Sequence, residues 1–157
     1  MIPLHRILLL ALALTARADD ALWQRLGSAS PTERTAARRA LVKTPLAEWQ
    51  SLAFREARPA AAIECILALC EAVPPRSARE ITPHICELIT TLTIEQMPAP
   101  QQLALLRANQ LVLTRLGPLS HDENQQLLDL WTHLHLAETK PLQRERAALM
   151  SALKKGG

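Results

Sequence analysis

The sequence is poor in the residues that build turns, hairpins and phosphate-binding loops. It contains four glycines, one phenylalanine, three tryptophans and no tyrosine among 157 residues. So little glycine argues against a β-sandwich, a barrel, a Rossmann domain or a P-loop enzyme, all of which rely on Gly-rich turns or loops. The remainder is 48% hydrophobic and 21% charged, with Ala and Leu dominant, which is typical of one ordinary globular domain.

Motifs for catalysis and metal binding are also missing. The chain has no C-x-x-C-H haem-attachment motif, no zinc-finger cysteine spacing, and no G-x-S-x-G, S-x-x-K or H-E-x-x-H. His133 and His135 are two residues apart on a predicted helix, so they point about 200° from each other and cannot share an ion. Cys86 and His84 diverge in the same way, although His84, Cys86 and Glu87 form a conceivable partial metal site. A paired-carboxylate site stays open on sequence grounds. We expect no enzyme activity, no metal and no cofactor.

The first 18 residues have the three regions of an export signal. Arg6 supplies the basic region, residues 7–14 form an eight-residue apolar run, and Ala16 and Ala18 are the small residues that a signal peptidase reads. The alternative is a buried N-terminal core helix. A membrane-spanning helix needs about 20 apolar residues, so we expect no stable membrane insertion after cleavage at Ala18. No cysteine follows the run, which argues against a lipoprotein anchor. The expected location is periplasmic or secreted.

Proline and capping signals divide residues 19–157 into seven or eight helices. Ser30 to Glu33 and Ser120 to Glu123 are capping boxes, and Gly117 is placed to end a long helix. The predicted helices cover residues 21–26, 31–43, a segment from Thr44-Pro45, 59–73, 82–93, 101–116, 121–134 and 141–153. The fifth start is ambiguous, because Ser77 to Glu80 is an earlier capping box than Thr82-Pro83. Short links between many helices predict an all-α fold, a HEAT-like α-solenoid of about three or four antiparallel helix pairs.

The predicted helix over residues 101–116 carries one polar residue on its apolar face. Leu105, Leu106, Val112 and Leu116 share that face, and Asn109 lies in its middle. A buried Asn without partners costs about 1–3 kcal/mol. We therefore favour an Asn that hydrogen-bonds a nearby loop or carbonyl over an amide that contacts a ligand in a groove.

The stretch from Gln102 to Gly117, QLALLRANQLVLTRLG, resembles the HEAT-repeat part of large exported haem-binding, dehydrogenase-like proteins of planctomycetes and verrucomicrobia. Arg38 to Leu41 and the helix containing Trp49 precede it in the same order, so the resemblance covers about residues 30–155. It implies an α-solenoid from an exported, multidomain protein and transfers no activity. Asn109 departs from the family, where an apolar residue is usual. The chain also ends at Lys154 to Gly157, where family members continue into further domains.

The three cysteines allow two interpretations. Cys65 and Cys70 are about 7.5 Å apart along one predicted helix, too far for a disulfide. A disulfide between Cys86 and either of the other two is geometrically feasible and would persist in an oxidising compartment; the pair we single out is Cys70 and Cys86. The other interpretation, which we slightly prefer, is that all three are small buried apolar residues. An odd count leaves at least one free thiol in either case.

Arginines cluster on the second and third predicted helices. Arg34, Arg38, Arg55 and Arg58, with Arg39, would line one edge of a helical stack as a mild basic patch and a candidate interaction surface. The interpretation we prefer is that these cations pair with acids at helical spacing, namely Glu33, Glu48 and Glu56. The net charge of +3 falls to +1 once residues 1–18 are removed. This small excess, together with export, argues against a nucleic-acid partner.

These features predict an exported scaffold that binds another exported protein or domain and catalyses nothing itself. One alternative is an accessory module or small-ligand carrier with a groove near Asn109, Trp131 and His135. Another is a truncated remnant of a larger haem-binding, dehydrogenase-like protein. Neither end of the predicted stack has an obvious polar cap, so self-association through an end is a further expectation.

Overall fold

The structure, a computed structural model, describes residues 20–156, and this part of the chain folds into helices without a strand. The predicted export signal lies outside the described residues. The first helix, α1, is described over residues 20–26. The others are α2 (Pro31–Val42), α3 (Leu46–Ala53), α4 (Pro59–Ala72), α5 (Ala78–Thr91), α6 (Ala99–Arg115), α7 (His121–His133) and α8 (Lys140–Gly156). Single 3-10 turns at Pro75–Ser77 and Ile94–Gln96 precede α5 and α6. The prediction of an all-α fold is confirmed.

The capping signals place the helix ends where the sequence predicts them. Ser30 accepts a hydrogen bond from the Glu33 backbone N–H at the start of α2. Ser120 and Glu123 form the full reciprocal capping box of α7. After α6 the chain turns at Gly117, whose φ of 90° lies in the left-handed region that favours glycine. These local interactions satisfy the backbone groups that helix ends leave without partners.

The prediction that Thr82-Pro83 opens the fifth helix is wrong. The earlier start after Ser77 is correct, although the Ser77 side chain makes no capping hydrogen bond. Helix α5 begins at Ala78, directly after the Pro75–Ser77 turn, and contains Pro83 in its second turn. Proline lacks an N–H, so it removes one helical hydrogen bond there. The Thr82 hydroxyl donates to the Ala78 carbonyl at 2.7 Å, which adds a side-chain bond beside that gap.

The helices pack mainly against their second neighbours in the chain. Helix α2 packs on α4, α4 on α6, and α6 on α8, while α5 packs on α7. Helices α3 and α8 also contact α4 and α7, respectively. Helix α4 is buried on nearly every side, with nine of its 14 residues in the core. The even-numbered helices thus form one continuous row with α4 near its centre.

Two buried amides link segments that are distant in sequence. Gln102 at the start of α6 donates to the Ile94 carbonyl at 3.1 Å and accepts from the Ala137 N–H at 3.0 Å. Asn124 in α7 donates to the Leu153 carbonyl near the end of α8 at 2.8 Å. Buried polar groups are stable only when they are paired, so these bonds fix the segments that they join. The sequence analysis did not single out either residue.

Candidate functional site

Helices α6 and α8 enclose an open groove between them. Its volume is about 780 Å³. It is lined by Arg107, Gln110, Leu113 and Thr114 of α6 and by Lys140, Pro141, Arg144, Glu145, Ala148 and Ala152 of α8. Long side chains on α8 would fill this space, but the small residues Ala148 and Ala152 line the α8 wall instead. The result is an open groove with polar side chains at one end and small apolar ones at the other.

Glu145 connects the two walls of the groove. Arg107 Nε donates to its Oε1 at 3.1 Å, and Gln110 Nε2 donates to its Oε2 at 3.2 Å. Gln110 also reaches the Glu145 backbone carbonyl at 3.2 Å. The hydrogen bonds from Arg107 and Gln110 lower the pKa of Glu145 below its ordinary value. The only acid of the lining is therefore ionised and already engaged within the protein.

Lys140 and Arg144 are the cations of the groove that have no such partner. Both are exposed, and neither forms an ion pair with any residue in the described range 20–156. They lie one helical turn apart in the first two turns of α8, where the helix dipole disfavours positive charge. This placement of an i, i+4 pair of cations at a helix start is a signal that the sequence contains and that the sequence analysis missed.

Three of the four arginines predicted as an interaction surface, Arg34, Arg38 and Arg58, contact other segments of the chain. Arg34 and Arg38 of α2 reach across to the buried Glu64 of α4, at 3.5 and 3.1 Å, and Arg38 also pairs with Glu71 at 3.3 Å. Arg55 donates to the Ser51 carbonyl within its own segment. For Arg34 and Arg38, the local partners preferred from the sequence are replaced by acids 26 to 33 positions further along the chain.

Arg58 joins the first helix to the start of α4. Its Nη2 donates to Glu56 Oε2 at 2.7 Å and to the Trp23 carbonyl at 3.1 Å. The guanidinium passes close to Gly27, where a Cβ would lie 3.0 Å from Arg58 Nη1. Burial alone raises the pKa of Glu56, but the Arg58 hydrogen bonds outweigh it and hold that pKa below its ordinary value. Glu56 is one of the three acids expected to pair with the arginines, but it and Arg58 are two residues apart before α4 and not at helical spacing.

All three cysteines are buried and free in the structure. Burial raises the pKa of Cys70 and of Cys86 to about 12, and that of Cys65 further still. A thiol that stays protonated is a poor nucleophile and a poor metal ligand. The Cys70–Cys86 disulfide stays a prediction.

Asn109 does not make the hydrogen bond that the sequence analysis favoured. It is fully buried, and neither its Oδ1 nor its Nδ2 has a partner among the described residues. The indole N–H of Trp131 is also buried without a partner among the described residues.

His135 contacts Glu95 at 3.2 Å and lines an opening to which neither Asn109 nor Trp131 contributes. His84 stacks on Phe54, with ring centroids 4.8 Å apart.

Residues 20–156 contain no group of three acidic, histidine or cysteine side chains arranged to hold a metal ion. Over the same residues, no helix is both long enough and apolar enough to cross a bilayer.

Comparison of the chain with protein-family models, with curated proteins and with solved structures found no match. The resemblance to the HEAT-repeat region of exported haem-binding proteins stays a prediction.

Proposed function

We propose that this chain is an exported scaffold of the HEAT-like α-solenoid type, which binds another exported protein or domain and performs no catalysis. The observation that carries the proposal is the packing of every second helix, in the row α2, α4, α6, α8. Solenoids stack helix pairs so that each unit contacts only its neighbours, which produces this alternation. The long exposed surface that results is what repeat proteins use to bind other proteins.

Side-chain contacts support a common direction for the even-numbered helices. Arg34 reaches Glu64, whereas Arg38, one turn later in α2, also reaches Glu71, later in α4. Burial raises the pKa of Cys70 near the end of α4, and the positive charge of Arg115 at the end of α6 opposes that rise, which places these two helix ends near each other. Contacts that follow the same order in both helices are expected when the two helices run the same way.

The odd-numbered helices fit the opposite direction. One opening is lined by residues from the start of α5, the end of α6 and the start of α7, among them Thr82, Leu116 and Ser120. At the other end, Gln102 at the start of α6 bonds to segments that follow α5 and α7. Helix starts of one row beside helix ends of the other are typical of antiparallel pairs in a two-layer stack.

The export and the scaffold role are tested together in the source organism. The full chain with a C-terminal tag is recovered from the periplasmic or secreted fraction, and its N-terminus and bound proteins are identified by mass spectrometry. We expect a chain that begins at Asp19 and one exported protein in near-equal amount. The matched control is Ala18→Arg, which places a large charged side chain where the peptidase needs a small one and should keep the leader attached.

Two results would contradict the proposal. One is a cytoplasmic chain that still begins at Met1, and the other is a folded, helical, exported chain that captures no partner in stoichiometric amount. An absorption spectrum of the same sample tests the alternative function. A Soret band would show bound haem and would favour an accessory module of a larger haem-binding, dehydrogenase-like protein, whereas the scaffold is colourless.

A further inference from the structure

We infer that the groove between α6 and α8 is the docking site of this scaffold and that its occupant is an acidic, extended segment of a partner protein. The inference rests on the proposed scaffold function and adds the binding site and the chemical class of the partner. It is carried by two observations: the charge of the lining and the shape of the walls.

The side chains that line the groove carry a net positive charge. Arg107, Lys140 and Arg144 contribute three positive charges, and Glu145 is the single acid of the lining. Because Arg107 already pairs with Glu145, two cations are left for a ligand. Carboxylates placed on Lys140 and Arg144 would gain charge-assisted hydrogen bonds and would also relieve the repulsion between two cations near a helix N-terminus.

The walls beyond the charged end suit a polypeptide backbone. Ala148 and Ala152 present only methyl groups on α8, and Leu113 faces them from α6. Small side chains permit close approach of an extended chain, and about 780 Å³ is within the range of volumes that specific ligand sites occupy. Thr114 is an exposed hydroxyl on the same wall. Acidic residues alternating with small ones would place carboxylates at the cations and the backbone against the alanines.

The same lining is unsuited to nucleic acids and to membrane surfaces. Single-stranded nucleic acids are bound by aromatic side chains on which bases stack, and the groove contains none. Anionic membranes attract clusters of about four to eight cations that project from the surface, whereas Lys140 and Arg144 are two cations at a concave site. An acidic protein segment is therefore the occupant that these residues favour.

The test compares two charge-reversal variants of the full chain. The groove variant is Lys140→Glu with Arg144→Glu. The control is Arg39→Glu with Lys43→Glu, two exposed cations that are also four residues apart, in the last turn and at the C-cap of α2, and that form no ion pair within residues 20–156. The probe is a fluorescein-labelled peptide of about ten residues that alternates Glu and Ala, measured by fluorescence anisotropy at low and high salt. Circular dichroism verifies that both variants fold.

We expect the groove variant to bind the acidic peptide at least about tenfold more weakly than the parent chain, and the control variant to bind as the parent does. Binding to the parent should weaken with salt and should be lost when Gln replaces Glu in the peptide. A parent that does not bind the peptide, or a groove variant that binds it as tightly as the control, overturns the inference. So does a larger groove-dependent affinity for oligo-dT or for phosphatidylserine vesicles.

The same variants separate this inference from the proposed function. If the captured exported partner remains bound to the groove variant, the scaffold stands and the groove is not its docking site. If no partner is captured but the acidic peptide still distinguishes the two variants, the proposed function fails and the site stands.

Discussion

Two helix junctions, α2–α4 and α6–α8, both contain arginine and glutamate, but the first is closed by ion pairs and the second contains an open groove. At the α2–α4 junction, Arg34 and Arg38 face Glu64 and Glu71, so the charges balance and the helices are joined by a half-buried ion-pair network. At the α6–α8 junction, the groove lining contains three cations and one acid, and that acid, Glu145, forms an ion pair with Arg107 alone. The balance of charge at a junction thus separates a surface that joins helices from one that is available to a partner.

The two junctions also differ in the size of the side chains that lie between the helices. Helix α4 carries large buried side chains such as Ile63 and Ile66, whereas α8 lines the groove with Ala148 and Ala152. Large apolar side chains exclude water and stabilise the fold, but small ones leave space. We therefore expect substitutions at the first junction to change stability and substitutions at the second to change binding.

The largest expected effect is that of Glu64→Ala. Removal of this carboxylate leaves Arg34 and Arg38 without their shared partner while about four fifths of each side chain is buried. Breaking a fully buried ion pair costs about 3–5 kcal/mol, and the remaining exposure reduces this to about 2–3 kcal/mol. Urea unfolding followed by circular dichroism measures the loss. The counterpart at the other junction, Glu145→Ala, should lower the midpoint much less, and equal losses would erase the distinction between the junctions.

Replacement of the two buried amides of α6, Asn109 and Gln102, should change the free energy of unfolding in opposite directions and by less than Glu64→Ala does. Asn109→Leu should raise the free energy of unfolding by about 1 kcal/mol, because it removes two buried polar atoms that have no partner. Gln102→Leu should lower it by about 1–3 kcal/mol, because the Ile94 carbonyl and the Ala137 N–H lose their partner. Urea midpoints of both variants are the measurement. Destabilisation by Asn109→Leu would mean that Asn109 has a partner in solution.

The next prediction concerns the pH dependence of stability, which should be larger for Glu56 in the N-terminal half than for Glu145 in the C-terminal half. The folded-state pKa of Glu56 lies below its ordinary value of 4.5, so its contribution is complete above that value and is lost as the pH falls through the folded pKa. The difference in urea midpoint between the parent and Glu56→Gln should therefore shrink as the pH falls from about 7 to about 3. Glu145→Gln should show the same sign with a smaller amplitude that disappears in high salt, because its ion pair is exposed to solvent.

A Glu56→Gln difference that grows toward acid pH would contradict the assigned sign, since it would mean that the folded state raises this pKa. A salt-independent effect at Glu145 would contradict its exposure.

The smallest expected effect is that of Lys140→Ala with Arg144→Ala. These cations have no ion pair in the part of the chain that the structure describes, so the free energy of unfolding should change by less than about 0.5 kcal/mol. Thermal or urea unfolding of the double variant is the check. A loss as large as that of Glu64→Ala would show that these cations stabilise the fold and are not reserved for a ligand.

Helix boundaries were predictable because their causes are local. Ser30, Ser120 and Gly117 act within a few residues of the helix ends that they define, so their effect is visible in the sequence. Helix α5 was misplaced because a proline is tolerated inside a helix when tertiary packing supports the remaining bonds, and packing is not visible in a pattern.

The candidate site was not predictable for the same reason. The sequence analysis assigned the interaction surface to Arg34, Arg38, Arg55 and Arg58, whose chemistry is identical to that of Arg107 and Arg144. What separates Arg34 and Arg38 from Arg144 is the partner that the facing helix supplies: α4 brings Glu64 to the first two, whereas Arg144 has no ion pair within residues 20–156. The contacts between Arg38 and Glu64 span 26 positions, and no local period encodes such a distance.

The burial of the three thiols makes the chain convenient for site-specific labelling. Cys65, Cys70 and Cys86 are the only cysteines in the sequence, and at neutral pH their protonated, inaccessible sulfurs react slowly with maleimides. A cysteine introduced at Thr114 would then carry a dye on the groove wall without removal of any native cysteine. Energy transfer from that dye to a labelled partner would report the docked distance directly in a native mixture.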